Sequence, residues 1–215
     1  MTKHFIKTSA IAVALLLSNG AAQAVVQDVA VNGDFETGTT AGWLEFANGG
    51  TISVGAPNSP LGPAGANSAL LSADPSGGGA SFPLIKLERL AEGLLTGGAA
   101  VTIEFDAYAP VQTQNINAGD PDDGFVVFVA EFFTEKTGDN GAINEILNTG
   151  FLTNEWQHFT FNTFLAADAG GGLSLLFKAD CGGNPDCRLD AYIDNVSIVT
   201  DVAAVPVPAA VWLFG

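Results

Sequence analysis

The segment Val101-Thr102-Ile103-Glu104-Phe105-Asp106-Ala107-Tyr108 alternates apolar and polar residues without a break. Successive side chains of a strand point to opposite faces. The segment therefore buries Val101, Ile103, Phe105 and Ala107 and turns Thr102, Glu104, Asp106 and Tyr108 to the other face. That pattern demands a sheet with one face in a core. Further strand-like runs follow the same logic: Thr51–Val54, Ser68–Ser72, Ser81–Ile85, Phe151–Leu165, Leu173–Lys178 and Tyr192–Val199. Gly124–Thr134 is apolar on both faces, as a strand flanked on both sides is. Gly, Pro and Asn clusters separate these runs, among them Asp74-Pro75-Ser76-Gly77-Gly78-Gly79 and Gly170-Gly171-Gly172. Many short strands at fairly even spacing predict an all-β chain, an antiparallel β-sandwich. Lys86–Leu95 is the one helix-like stretch, with Leu87, Leu90 and Leu94 at helical spacing. A strand running into a polar loop is its alternative.

The sequence holds 7 Lys and Arg against 23 Asp and Glu, a net charge of −16. Nucleic acid is excluded as a partner, because phosphate binding needs bases that release counterions. The same charge argues against an anionic membrane surface and favours cation binding. With 47% hydrophobic and 14% charged residues this is a folding chain, not a disordered acidic tail.

The N-terminus reads as an export signal, residues 1–24. Lys3, His4 and Lys7 form a basic start, Ala10–Leu17 an apolar core, and Ala22-Gln23-Ala24 a small-x-small cleavage pattern. Removing Lys3 and Lys7 leaves five bases against 23 acids, a net charge near −18. Residues 25–200 then form one domain and 201–215 a linker and tail. Cys181 and Cys187 flank a short Gly/Asn/Pro loop. In an oxidising compartment they are expected to pair, with modest entropic gain for so short a loop.

The tail Val205-Pro206-Val207-Pro208-Ala209 followed by Ala210–Gly215 resembles the PEP-CTERM sorting signal of Gram-negative bacteria, in its Val-Pro-x-Pro-Ala form. The rest of the helix and the basic cluster of that signal are not in the sequence. The resemblance implies an exported protein processed by an exosortase, found at the cell surface or in an exopolysaccharide matrix. Membrane contact would run only through this truncated tail.

Three further motifs carry a second resemblance. Asn32-Gly33-Asp34-Phe35-Glu36 with Gly42-Trp43 opens the domain, Asn154–Phe161 lies within it, and Tyr192–Ile198 closes it. Together they resemble the galactose-binding-like jelly roll of many carbohydrate-binding modules and their non-catalytic relatives. First and last strands are neighbours in such a fold, so Glu36 and Asp194 can approach. The resemblance implies a structural Ca²⁺, with Glu36 and Asp194 as side-chain ligands and Asp34 as a third. Two close carboxylates repel unless a cation lies between them, and hard oxygen donors suit Ca²⁺. Asp120–Asp123 is a further acidic loop, read as solvated because the EF-hand spacing is incomplete.

Sugar binding in such modules uses exposed aromatic faces with polar neighbours. The resemblance places Trp43 and Trp156 in the core. The candidate ligand-binding residues are therefore Tyr108, Glu104, Asp106 and Asn162. Catalysis has little support. His158 is the one histidine outside the signal, and Gly-x-Ser-x-Gly, P-loop, Rossmann and His-Glu-x-x-His patterns are missing. The expectation is a non-enzymatic surface or matrix protein binding exopolysaccharide, or else a structural matrix component. A secreted glycosidase or esterase is the remote alternative.

Overall fold

The structure, a computed structural model, describes residues 24–55, 65–77, 79–113, 125–138, 140–182 and 185–203. The export signal before Ala24, the acidic loop at 120–123 and the sorting-type tail at 205–215 lie outside the described residues.

Eleven strands are described: β1 (Val25–Asp28), β2 (Leu44–Phe46), β3 (Thr51–Gly55), β4 (Ser68–Ala73), β5 (Leu84–Leu90), β6 (Ala100–Thr113), β7 (Phe125–Glu135), β8 (Ala142–Leu147), β9 (Gln157–Phe164), β10 (Gly172–Gly182) and β11 (Arg188–Val202). The first sheet runs β3-β4-β11-β6-β9, with β1 added to β11; the second runs β2-β5-β10-β7-β8. Every pairing is antiparallel. The chain is the antiparallel β-sandwich its alternation demands.

The inward faces meet in an aromatic core. Phe105 of β6 stands edge-on to Phe177 of β10, with ring centroids 4.7 Å apart. Trp43 lies 6.0 Å from Phe177 and 5.5 Å from Phe35, and both Trp43 and Phe35 are buried. Cys181 and Cys187 form a disulfide, with Cα atoms 5.8 Å apart.

The helix-like stretch is a correction. Residues 84–90 form strand β5, with Ile85 and Leu87 buried against the core and Lys86 and Glu88 turned outward. Pairing to β10 on one side and β2 on the other satisfies its backbone. A short isolated helix gives no such return, because its nucleus is costly. The run 151–165 is strand only from Gln157 to Phe164. Edge strand β8 breaks the alternation rule. Its Glu145 lies opposite buried Phe132 and accepts a 2.6 Å hydrogen bond from Thr163 Oγ1 of β9, while Ile146 lies on the outer face.

The Asn32–Phe35 motif is held against the last strand. Val196 N donates to Gly33 O at 2.9 Å, and Val29 N donates to Ile198 O at 2.9 Å. A Cβ on Gly33 would overlap the Val196 carbonyl. Gly33→Ala is therefore expected to cost about 2 kcal/mol or more, as overpacking a rigid backbone contact does. Thermal unfolding should show a Tm lowered by about 5 °C. A Tm equal to the parent's would mean this contact yields freely.

Candidate functional site

Strand β11 carries an irregularity at the middle of the first sheet. Its register on β6 shifts between Asp194 and Ser197. Asn195 there adopts φ +50°, a left-handed conformation that Asn tolerates better than most residues. Bulges of this kind re-aim side chains. Asn195 N donates to Asp194 Oδ1 at 2.7 Å, and Asn195 Nδ2 donates to Asp106 Oδ2 at 2.7 Å.

Asp194, Asp106 and His158 lie side by side across β11, β6 and β9. His158 Nδ1 is 2.8 Å from Asp106 Oδ1, and His158 Nε2 is 3.3 Å from Thr160 Oγ1. The row begins buried and ends in water: Asp194 is 2% exposed, whereas the His158 side chain is 59% exposed. Further along, Thr102 Oγ1 donates to exposed Asn162 at 3.0 Å. Glu104, half-buried, lies opposite Thr160. This outer face is polar and acidic.

The opening motif brings Glu36 to the buried end of the row. Glu36 Oε1 accepts hydrogen bonds from Ala66 N at 2.7 Å and Asn67 N at 2.9 Å. Asp34 Oδ1 accepts from Glu36 N at 3.3 Å, which shapes the turn. A Cβ on Gly65 would stand 2.7 Å from Glu36 Oε1 and 3.7 Å from Asp194 Oδ2, so both carboxylates border the same small space. Burial pushes the Asp194 carboxyl up to about 7, and the charges of Asp106, Glu36 and Asp34 add to the rise against the hydrogen bond from Asn195. The fold thus gathers four acids here; burial and mutual repulsion both oppose ionisation of Asp194.

The donors are all oxygen, as Ca²⁺ prefers. Among the described residues no group of three His, Cys, Asp or Glu side chains stands at metal-holding spacing. Any ion here would therefore draw on Glu36, Asp194 and main-chain oxygens.

Of the candidate sugar contacts, Glu104, Asp106 and Asn162 share the outer face. Tyr108 shares it too, but it is 1% exposed and so is not an available platform. Its ring stacks on Tyr192 at 4.9 Å and leans on Trp156 at 4.4 Å. Aromatic area is better buried than exposed; Trp156, expected in the core, is instead half-buried just before β9 and covers Tyr108 on the outer face. His158 holds Asp106 in place. The left-handed Asn195 was legible only as part of the closing motif, since nothing local marks its conformation.

No family model matches the sequence, and no curated protein matches it. Solved structures match the fold. "Family 16 Carbohydrate Binding Module-2" has a TM-score of 0.51 at 15% identity, covering 79% of this chain and 98% of that one. A Clostridium thermocellum endo-1,4-β-D-xylanase with family-22 carbohydrate-binding and GH10 modules, complexed with xylohexaose, has a TM-score of 0.53 at 14% identity, covering 80% of this chain. This chain spans only 28% of that protein. A Stig cyclase from Fischerella sp. TAU has a TM-score of 0.52 at 18% identity, covering 83% of this chain and all of that one. The shared property is the sandwich. It serves both binding modules and at least one enzyme.

Asp194 sets a pH dependence. Folded Asp194 holds its proton to about pH 7, against 3.8 for its ordinary value. Its protonation favours the folded state at low pH, and that contribution is lost progressively as pH rises from about 4 to 7. In chelator, Tm should fall between pH 5 and pH 7.5, and Asp194→Asn should flatten the fall. Superimposable profiles for parent and variant would show that Asp194 titrates as an ordinary carboxylate.

Proposed function

We propose that this chain is a non-catalytic glycan-binding protein of the cell surface or extracellular matrix, exported and sorted through its termini. The observation that carries this reading is the open polar row of Glu104, Asp106, His158, Thr160 and Asn162 on the outer face of a module-type sandwich. A run of carboxylates, hydroxyls and an imidazole offers donors and acceptors to sugar hydroxyls. Asn195 and His158 each hold one oxygen of Asp106, so the face is ordered before a ligand arrives. Preorganisation of this kind reduces the entropy lost on binding.

The chemistry of the face narrows the ligand. Its carboxylates repel uronate polymers, so a neutral or amino-sugar exopolysaccharide is the fitting class. Tyr108 and Tyr192 are buried and Trp156 is half-buried, so recognition proceeds mainly through hydrogen bonds and affinity is modest. Glu36 and Asp194 would hold a structural Ca²⁺ between the opening turn and β11. Such an ion supplies positive charge that offsets the gathered acids.

A second reading is a structural matrix component without glycan specificity. It is favoured by the exposed apolar residues on the outer face of the second sheet, Phe46, Val127 and Ile146 among them. The Thr160–His158–Asp106 chain has the order of a nucleophile, base and acid. His158 and Thr160 are both exposed, so the site excludes no water around them, and hydrolysis is not the reading we adopt.

Retention of the protein in affinity gels containing neutral, amino-sugar and uronate polysaccharides tests the proposal. Retention by a neutral or amino-sugar gel should weaken about tenfold in His158→Ala/Asn162→Ala, with Tm unchanged. No retention by any gel would overturn glycan binding and leave the structural reading. Separately, Ca²⁺ should raise Tm in the parent and not in Asp194→Ala, since a ligand of the folded state stabilises it by mass action. Equal shifts in both would place the ion elsewhere.

A further inference from the structure

We infer that the outer face of the second sheet is a docking surface for a second copy of this chain. An antiparallel sheet usually turns polar residues to water on its free side. Here the free side carries exposed apolar residues interleaved with charged ones. Phe46, Leu84, Leu176, Val127, Val129 and Ile146 lie on it across all five strands. Ile146 is 68% exposed and Phe46 47%. Val127, Val129 and Ile146 come together at one end of it, and exposed apolar surface of this kind marks an interaction site.

The face also has a hollow for an anchor. A cavity of about 350 Å³ opens beside Val127, Val129 and Ile146, with exposed Phe151 at its edge. Interfaces draw most of their energy from a few apolar anchors seated in such pockets.

Charge selects the occupant. Two copies near −18 repel wherever their acidic surfaces meet. The first sheet's outer face carries Glu104, Asp106, Asp190 and Asp194, with Arg188 at its rim as the one Lys or Arg among its described residues. The second sheet's outer face is less one-sided: Lys86 and Lys178 stand with Glu88, Glu131, Glu135 and Asp180. Lys178 Nζ is 2.6 Å from Asp180 Oδ2, and Lys86 Nζ is 3.1 Å from Glu88 Oε1. This is the face on which two such anions can approach. Because it carries both signs, it can oppose itself across a two-fold axis, as a dimer interface requires.

Its size suffices. Strands with about 3.3 Å rise and 4.8 Å spacing give five strands of these lengths a face on the order of 600 Å². Two such faces bury about 1,200 Å², the lower end of specific interfaces. A reversible dimer with a micromolar dissociation constant is the expected result. It leaves both acidic faces outward, so one dimer presents two glycan-binding surfaces, an arrangement suited to cross-linking a matrix.

Sedimentation equilibrium of the purified protein over a concentration series, in chelator, tests this inference. A monomer–dimer equilibrium is expected that tightens with added NaCl, because salt screens the repulsion between copies. Val127→Lys and Ile146→Lys, made separately at solvent-facing positions, should each weaken it about tenfold or more. Leu176→Lys serves as a third variant should either fail to fold, and an unchanged Tm identifies the variants that do. A monomer at all concentrations overturns the inference. So does a dimer that these variants leave intact, or one that salt dissociates, since either uses another face. Glycan retention by Val127→Lys is expected to persist for a single chain, so failure here and failure of glycan binding are read separately.

Discussion

The structure depends on strand β11. It pairs with β6 along one edge and with β4 and β1 along the other, so it joins the opening of the domain to its middle and end. Its irregularity at Asn195 is a local departure from strand geometry, stabilised by hydrogen bonds to Asp194 and Asp106. The same turn holds Val196 N on the Gly33 carbonyl. One backbone distortion thereby docks the N-terminal motif and gathers the acids. Closing a sheet through its first and last strands leaves little freedom at that place, and the left-handed backbone there persists because its surroundings over-determine it.

The two outer faces differ in chemistry. Both sheets share one aromatic core through Phe105 and Phe177, yet their free sides differ in kind. One is an acidic surface with an ordered Asp106 at its centre. The other mixes exposed apolar side chains with charges of both signs. A sandwich used only as a soluble module has no need of the second. The contrast is what the proposed binding through one face and association through the other rest on.

The fold class was readable because alternation is a direct record of which side chains meet the core. Val101–Tyr108 shows this, and β6 follows it residue by residue as far as Ala107. The opening and closing motifs were readable only through their resemblance to a known jelly roll; the close approach at Gly33 and the left-handed Asn195 emerge from the packed strands. β5 was obscured because Leu87, Leu90 and Leu94 fall at helical spacing by coincidence, and only its neighbours decide for a strand. β8 was obscured because its Glu145 and Ile146 face against the usual preference. Glu145 finds Thr163 on a strand remote in sequence, and Ile146 joins the exposed apolar residues of the outer face.

What the sequence by itself determined is therefore the all-β sandwich and the acidic excess. Each follows from periodicity or from a count of charges, and neither requires distant residues to be placed; the pairing of the ends was implied only by the resemblance. The tertiary structure decided what each polar or aromatic side chain does. Tyr108 has the alternation of an exposed residue, but Tyr192 and Trp156 close over it. Asp194 is an ordinary carboxylate in the sequence, and burial beside Glu36, Asp34 and Asp106 makes it a weak acid. Burial and electrostatics sum over neighbours brought together only by folding, so no local pattern can report them.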